Sequence, residues 1–240
     1  MKKTTLLVAL LCITMASAQK WNKKKVSGNG NETTITRTTS EYDEISVGGP
    51  FKVELVYGKE GAIIIKGDEN LLEYIKTEVD GSKLKIYIEN DVTLKYGERD
   101  IEIIIPFEKI NSVSFAGSGD IKTKDSISAE NFEIKFAGSG DGNFEVNCPN
   151  LKVALAGSGD LKVTGNSTEL EAKLAGSGYL DCSKLEAQNT DASVAGSGDL
   201  KINCIKKLTA KIAGSGDIHY KGKPESIDSK VAGSGNISSY

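Results

Sequence analysis

One pentapeptide recurs so regularly that it constrains the whole architecture. Ala-Gly-Ser-Gly-Asp stands at 116–120, 137–141, 156–160, 195–199 and 213–217, and the variants AGSGY at 175–179 and AGSGN at 232–236 complete the series. The seven opening alanines are separated by 21, 19, 19, 20, 18 and 19 residues. Around each copy, apolar and polar residues alternate. Phe132-Glu-Ile134-Lys-Phe136 and Leu151-Lys-Val153-Ala-Leu155 precede two of the motifs, and Leu161-Lys-Val163 and Leu200-Lys-Ile202 follow two others. Alternation with period two marks strands buried on one face. A unit of about 19 residues is too small for a propeller blade, which takes about 40, and it lacks the spacing of a leucine-rich repeat. It fits one coil of a parallel β-helix.

The expected fold is therefore all-β: a parallel β-solenoid with coils of ~19 residues, stacked through strand ladders ~4.8 Å apart. Right-handed winding follows from the general handedness of parallel crossovers. Phe136, Leu155, Leu174, Val194 and Ile212 fall at equivalent places in successive coils and are expected to stack inside. The paired glycines of each motif read as one sharp corner per coil: Gly117 and Gly119, Gly138 and Gly140, Gly157 and Gly159, Gly176 and Gly178, Gly196 and Gly198, Gly214 and Gly216, and Gly233 and Gly235. Glycine reaches positive φ without steric cost, which is the reason expected for both members of each pair.

Ahead of the repeats, residues 32–113 carry strand-like segments near 33–38, 43–47, 51–57, 61–66, 83–89 and 101–105, with Pro106 expected to close the last. A short helix is predicted over 69–75, capped by Asp68, with Leu71, Leu72 and Ile75 on one face. A solenoid end exposes core and unpaired backbone, so this part reads as irregular β-coils or a small sheet capping the 114–240 solenoid. The opposite end has only 236–240 to cover it, which makes it a candidate for self-association.

Residues 1–18 read as a signal peptide, with Lys2 and Lys3, an apolar run from Leu6 to Met15, and small residues at Ala16-Ser17-Ala18. The run is too short to span a bilayer, which takes ~20 residues. Export to the periplasm, the outer-membrane surface or the exterior is expected. Residues 19–31, polar and lysine-rich, read as a flexible leader. The formal net charge of −3, with both signs interspersed, argues against a nucleic-acid partner. Cys148, Cys182 and Cys204 have no metal-site spacing and read as small buried hydrophobes, or as a Cys182–Cys204 disulfide between adjacent coils.

The sequence resembles the head GIN domain family of auto-transporter adhesins, known from Bacteroidetes. The resemblance rests on Val47-Gly48-Gly49-Pro50-Phe51-Lys52-Val53, on Gly67-Asp68-Glu69-Asn70-Leu71-Leu72, and on the repeated Gly-Ser-Gly-Asp-Ile/Leu. It implies an exported β-solenoid with an adhesive role, and a glycan or a surface protein as partner.

Chemistry in the repeats is sparse. Asp120, Asp141, Asp160, Asp199 and Asp217 should form a column, interrupted by Tyr179 and ended by Asn236. Stacked like charges need an offset, and three are available: calcium, which takes hard oxygen ligands, turn amides, or the lysines two residues on (Lys122, Lys162 and Lys201). Seven equivalent serines around a single histidine, His219, do not make a catalytic triad, and His219 reads as an exposed surface residue. A polysaccharide lyase or hydrolase built on this fold needs irregular loops to gather its carboxylates. Coils differing by at most three residues leave little room for them. Tyr179, Tyr220 and Tyr240 are the candidate outward aromatics. The expectation is a non-catalytic envelope binding module, with a self-assembling structural protein as the alternative.

Overall fold

The computed structural model describes residues 24–97 and 99–240. Residues 1–18, expected to be a signal peptide, and residues 19–23 of the expected leader lie outside the described residues. No described helix is long and apolar enough to cross a membrane.

The N-terminal part contains β1 (Lys24–Ser27), β2 (Glu32–Thr38), β3 (Glu44–Gly48), β4 (Lys52–Tyr57), β5 (Ala62–Asp68), α1 (Glu69–Leu72), β6 (Ile75–Asp80), β7 (Lys83–Ile88), β8 (Val92–Lys95) and β9 (Glu102–Phe107). The repeats follow as β10 (Ser112–Gly117), β11 (Asp120–Thr123), β12 (Ile127–Ser128), β13 (Asn131–Gly138), β14 (Asp141–Gly157), β15 (Asp160–Gly176), β16 (Tyr179–Gly196), β17 (Asp199–Gly214), β18 (Ile218–Lys221), β19 (Ser226–Gly233) and β20 (Ile237–Ser239).

A strand as long as β14 or β15 is one circuit of the solenoid from one motif to the next. Its first arm follows a motif and its second arm leads into the next. Both arms stack in parallel register: Phe136 on Leu155, Leu155 on Leu174, Leu174 on Val194 and Val194 on Ile212. All five side chains are buried, as the alternation requires. The core also holds six fully buried phenylalanines, and the Phe115 and Phe136 rings stack with centroids 5.2 Å apart. Full burial of a side chain of this size stabilises by roughly 2–3 kcal/mol, so the interior ladders dominate the favourable side of folding.

The order of the N-terminal rungs is not the order of the chain. β3 and β4 stack in parallel directly beneath β10 and β11. β7 and β9 form the rung below that, pairing with β3 and β4 respectively. The end is then closed by antiparallel strands, β6 against β7 on one face, and β5 against β9 with β2 outside it on the other. Reversing direction turns the parallel stack into a small mixed sheet.

Three local expectations need correction. Residues 24–27 are not flexible leader: β1 pairs in parallel with β8, with Val26 opposite Leu94. Pro106 lies within β9 rather than ending it. It pairs with Val56 on one side, while β5 on the other side reaches only Ile104. A proline lacking its amide donor is tolerated where a strand edge is unpaired. Helix α1 stops at Leu72, and the Asp68 side chain makes no cap bond. Its carboxylate instead accepts the Gly30 amide at 3.2 Å, tying the leading loop to the end sheet.

Candidate functional site

The two glycines of a motif share one steric need and differ in a second. Gly157, the first of its pair, has φ +124°, a region that disfavours side chains. Gly178, the second of its pair, has no such φ, yet a Cβ there would lie 2.3 Å from the Gly159 carbonyl oxygen of the coil beneath. The expectation of positive φ at both is thus replaced: both glycines permit the close approach, since a Cβ at Gly157 would also lie 2.3 Å from Gly138 O, and from Gly138 onward the first of each pair takes a positive φ as well. Backbone bonds fill the space: Ser177 and Gly178 amides both donate to Gly157 O, at 2.9 and 3.0 Å, and Tyr179 N donates to Gly159 O at 3.2 Å.

Flat stacking at this corner sets the aspartates in a single file. Asp141 is in register with Asp160, and Asp160 with Tyr179, which separates it from Asp199. Three of the carboxylates receive the next coil's backbone: Asp141 N donates to Asp120 at 3.2 Å, Asp217 N to Asp199 at 3.1 Å, and Asn236 N to Asp217 at 2.7 Å. Among the described residues, no three acidic, histidine or cysteine side chains gather into a metal-binding group. The lysines do not serve the aspartates either. Lys122 pairs with Glu54 at 3.2 Å, and Lys201 lies over the Tyr179 ring, 5.5 Å from its centroid.

The arm after each motif presents an outward column of Glu54, Lys122, Asn143, Lys162, Asp181, Lys201, His219 and Ser238 in consecutive register. A groove of about 430 Å³ runs along its N-terminal end, between Lys52, Glu54, Glu102, Asp120, Lys122, Asp141 and Asn143. A smaller one of about 290 Å³ continues it past Asp160 and Lys162 to Tyr179 and Asp181. At the far end the face becomes aromatic. Lys201 Nζ sits between two rings, 5.5 Å from Tyr179 and 5.7 Å from Tyr240. His219 meets Tyr240 edge-on at 6.4 Å, and its Nδ1 lies 3.1 Å from Ser238 Oγ. The hydrogen bond with the Tyr179 hydroxyl raises the Lys201 pKa above its ordinary value. Tyr220 is not part of this surface. It is in register with the buried Ile202 and packs partly buried against the core. His219, expected on the surface, is half-buried.

Residues 41–224 match the family described as "Putative auto-transporter adhesin, head GIN domain". The chain belongs to this family. Three crystal structures of bacterial proteins share its fold. One from Bacteroides fragilis, described as a "putative adhesin", has a TM-score of 0.85 at 24% identity, covering 90% of this chain and 100% of that one. One from Parabacteroides distasonis, described as a "Putative lipid binding protein", has a TM-score of 0.75 at 29% identity, covering 90% and 100%. One from Parabacteroides merdae, again a "putative adhesin", has a TM-score of 0.72 at 18% identity, covering 90% and 99%. No curated protein matches the chain.

In this head GIN domain the cysteines stand apart from any surface chemistry. Cys182 is in register with Ile202 and Cys204 with Ala187, so the proposed Cys182–Cys204 bridge does not form. All three thiols are buried, and burial pushes that of Cys148 up to about 11. Cys148 and Cys204 donate to nearby carbonyls, at 3.4 Å to Asn150 O and 3.1 Å to Lys207 O. Ser167, in register with Cys148, does the same to Glu169 O at 2.9 Å. A second feature of the domain escaped the sequence reading. Asn131 and Asn150 stack side chain on side chain, Nδ2 to Oδ1 at 3.1 Å. Their shared place six residues before the motif alanine was the available signal.

Proposed function

We propose that this head GIN domain is an exported, non-catalytic binding module of the cell envelope, and that it recognises glycan through the arm that follows each motif. The observation that carries this reading is the cluster of Tyr179, Lys201, His219 and Tyr240. It places two aromatic rings, an ammonium and an imidazole at the end of an otherwise polar, grooved face. A half-buried ring beside an exposed one, within a polar rim, suits a sugar face, since aromatic bodies bind C–H surface while nearby donors fix the hydroxyls. The family's description as an auto-transporter adhesin head and the signal-like N-terminus support export and a surface partner. A surface protein bearing such glycans serves equally as the physiological ligand. In this reading the aspartate column works as a set of turn caps, and calcium is not required.

A glycan-array screen of the purified protein, run with calcium and again with a chelator, tests the proposal. Selective binding in both conditions is expected, with loss of signal in Tyr179→Ala. An array blank in both conditions removes the glycan reading, and binding lost on chelation returns the aspartates to the status of a metal site. Anionic and zwitterionic vesicles, run alongside, test the ligand class in the Parabacteroides relative's description.

A further inference from the structure

The two ends of the solenoid are finished differently. Antiparallel strands close the N-terminal end, but β19 pairs only with β17, and no described strand covers its other side. All eight of its residues are exposed. Ile227 and Val231 continue the inward ladders of Leu208 and Ile212, which are 0% and 3% exposed, yet they stand at 45% and 43%. An edge this long with bare apolar residues on its core side is a template for another strand.

We infer that β19 pairs with β19 of a second copy, antiparallel and about a two-fold axis through Ser229. The strand's own sequence selects that partner and that register. With Ser229 opposite itself, Ile227 faces Val231 of the other copy, and Asp228 faces Lys230. Directly opposed residues share a face in an antiparallel pair, so the apolar pair extends both cores while the charged pair stays outside. The two-fold repeats each contact, giving two ion pairs and two apolar pairs. Electrostatics inside one copy point the same way. Lys230 sits directly on Lys211 of the coil beneath, with no acidic side chain paired to either among the described residues. An incoming Asp228 supplies the missing charge on the next rung. Edges that keep partners away often carry lysine, whereas here Lys230 is matched by Asp228 at a self-complementary spacing. The contact is isologous and therefore closes at a dimer.

Sedimentation velocity of the purified protein across a concentration series reads this out. A monomer–dimer equilibrium is expected, weakened at least tenfold by Asp228→Lys or by Lys230→Asp, each of which sets like charges against each other twice. The double swap Asp228→Lys with Lys230→Asp restores complementarity and should recover the dimer. Both positions are exposed, and circular dichroism should show all variants folded. A wild-type protein monomeric at every concentration overturns the inference. So does a double swap as dissociated as the single variants, or growth beyond dimers.

Discussion

Replacing Gly178 by alanine isolates the stacking distance from every other property of the corner. The residue has no positive φ, so alanine meets no backbone strain of its own. Its Cβ would stand 2.3 Å from Gly159 O, with Leu155 Cδ2 at 3.2 Å. Ordinary carbon–oxygen contact needs roughly 1 Å more, and the obstacle is backbone of the adjacent coil, which moves only if the coils part. Parting them by that amount breaks Tyr179 N to Gly159 O, now 3.2 Å, and stretches Gly178 N to Gly157 O, now 3.0 Å. Two to three hydrogen bonds at about 1 kcal/mol each, with some loss of core contact, give a destabilisation of about 2–4 kcal/mol. For a domain of this size that lowers Tm by about 5–15 °C. Gly58 is the control: it too lacks positive φ, and a Cβ there meets nothing within 4 Å. Gly58→Ala should be neutral or stabilising by up to about 1 kcal/mol through the unfolded chain. Thermal denaturation followed by circular dichroism compares the two. Equal midpoints for Gly178→Ala and Gly58→Ala would refute the close-approach argument.

Cys148, Cys182 and Cys204 should resist a thiol reagent at pH 8 in the native protein and react together once denatured, because burial raises all three thiol pKa values; rapid native labelling would contradict their placement. The hydrogen bond from Lys173 holds the Glu171 carboxyl below its ordinary pKa. Its contribution to stability is therefore complete above the unfolded value near 4.3 and disappears as pH falls through the lower folded value. Glu171→Gln should lower the denaturation midpoint slightly at pH 7 and converge with wild type in acid; a constant gap across that window would rule the pairing out. A chelator should leave Tm unchanged if turn amides alone satisfy the aspartate column, and a fall restored by added calcium would disprove that.

The solenoid was legible because its period, its corners and its inward ladder all repeat, and repetition turns weak local signals into a strong one. The N-terminal rungs were not. Gly48-Gly49-Pro50-Phe51 makes the same corner as a motif, with Gly49 N bonded to Ala116 O at 2.9 Å and Asp120 N to Phe51 O at 2.9 Å. Proline and phenylalanine stand where the repeat has serine and glycine, which hides the equivalence. Nothing local reveals that this coil stacks on β10 and β11, since the partner strands lie about 68 residues on. Partner choice was equally hidden on the surface. The Lys122 side chain lies two residues from Asp120, but the coil beneath offers Glu54 directly opposite it, and that acid takes the ion pair. Tyr179 was visible as a departure from the motif. Its meeting with Tyr240 across Lys201 depends on three further coils of stacking.

The central claim is that ligand binds the arm after the motif, at the aromatic end. Titration of a glycan selected from the array against wild type, Tyr179→Ala and Thr209→Ala tests it most directly, because Thr209 lies on the arm before the motif and away from the cluster. Loss of the ring should weaken binding about tenfold, equivalent to ~1.4 kcal/mol, while Thr209→Ala binds as wild type. Equal affinity for Tyr179→Ala and wild type, or a loss confined to Thr209→Ala, would place the binding surface elsewhere.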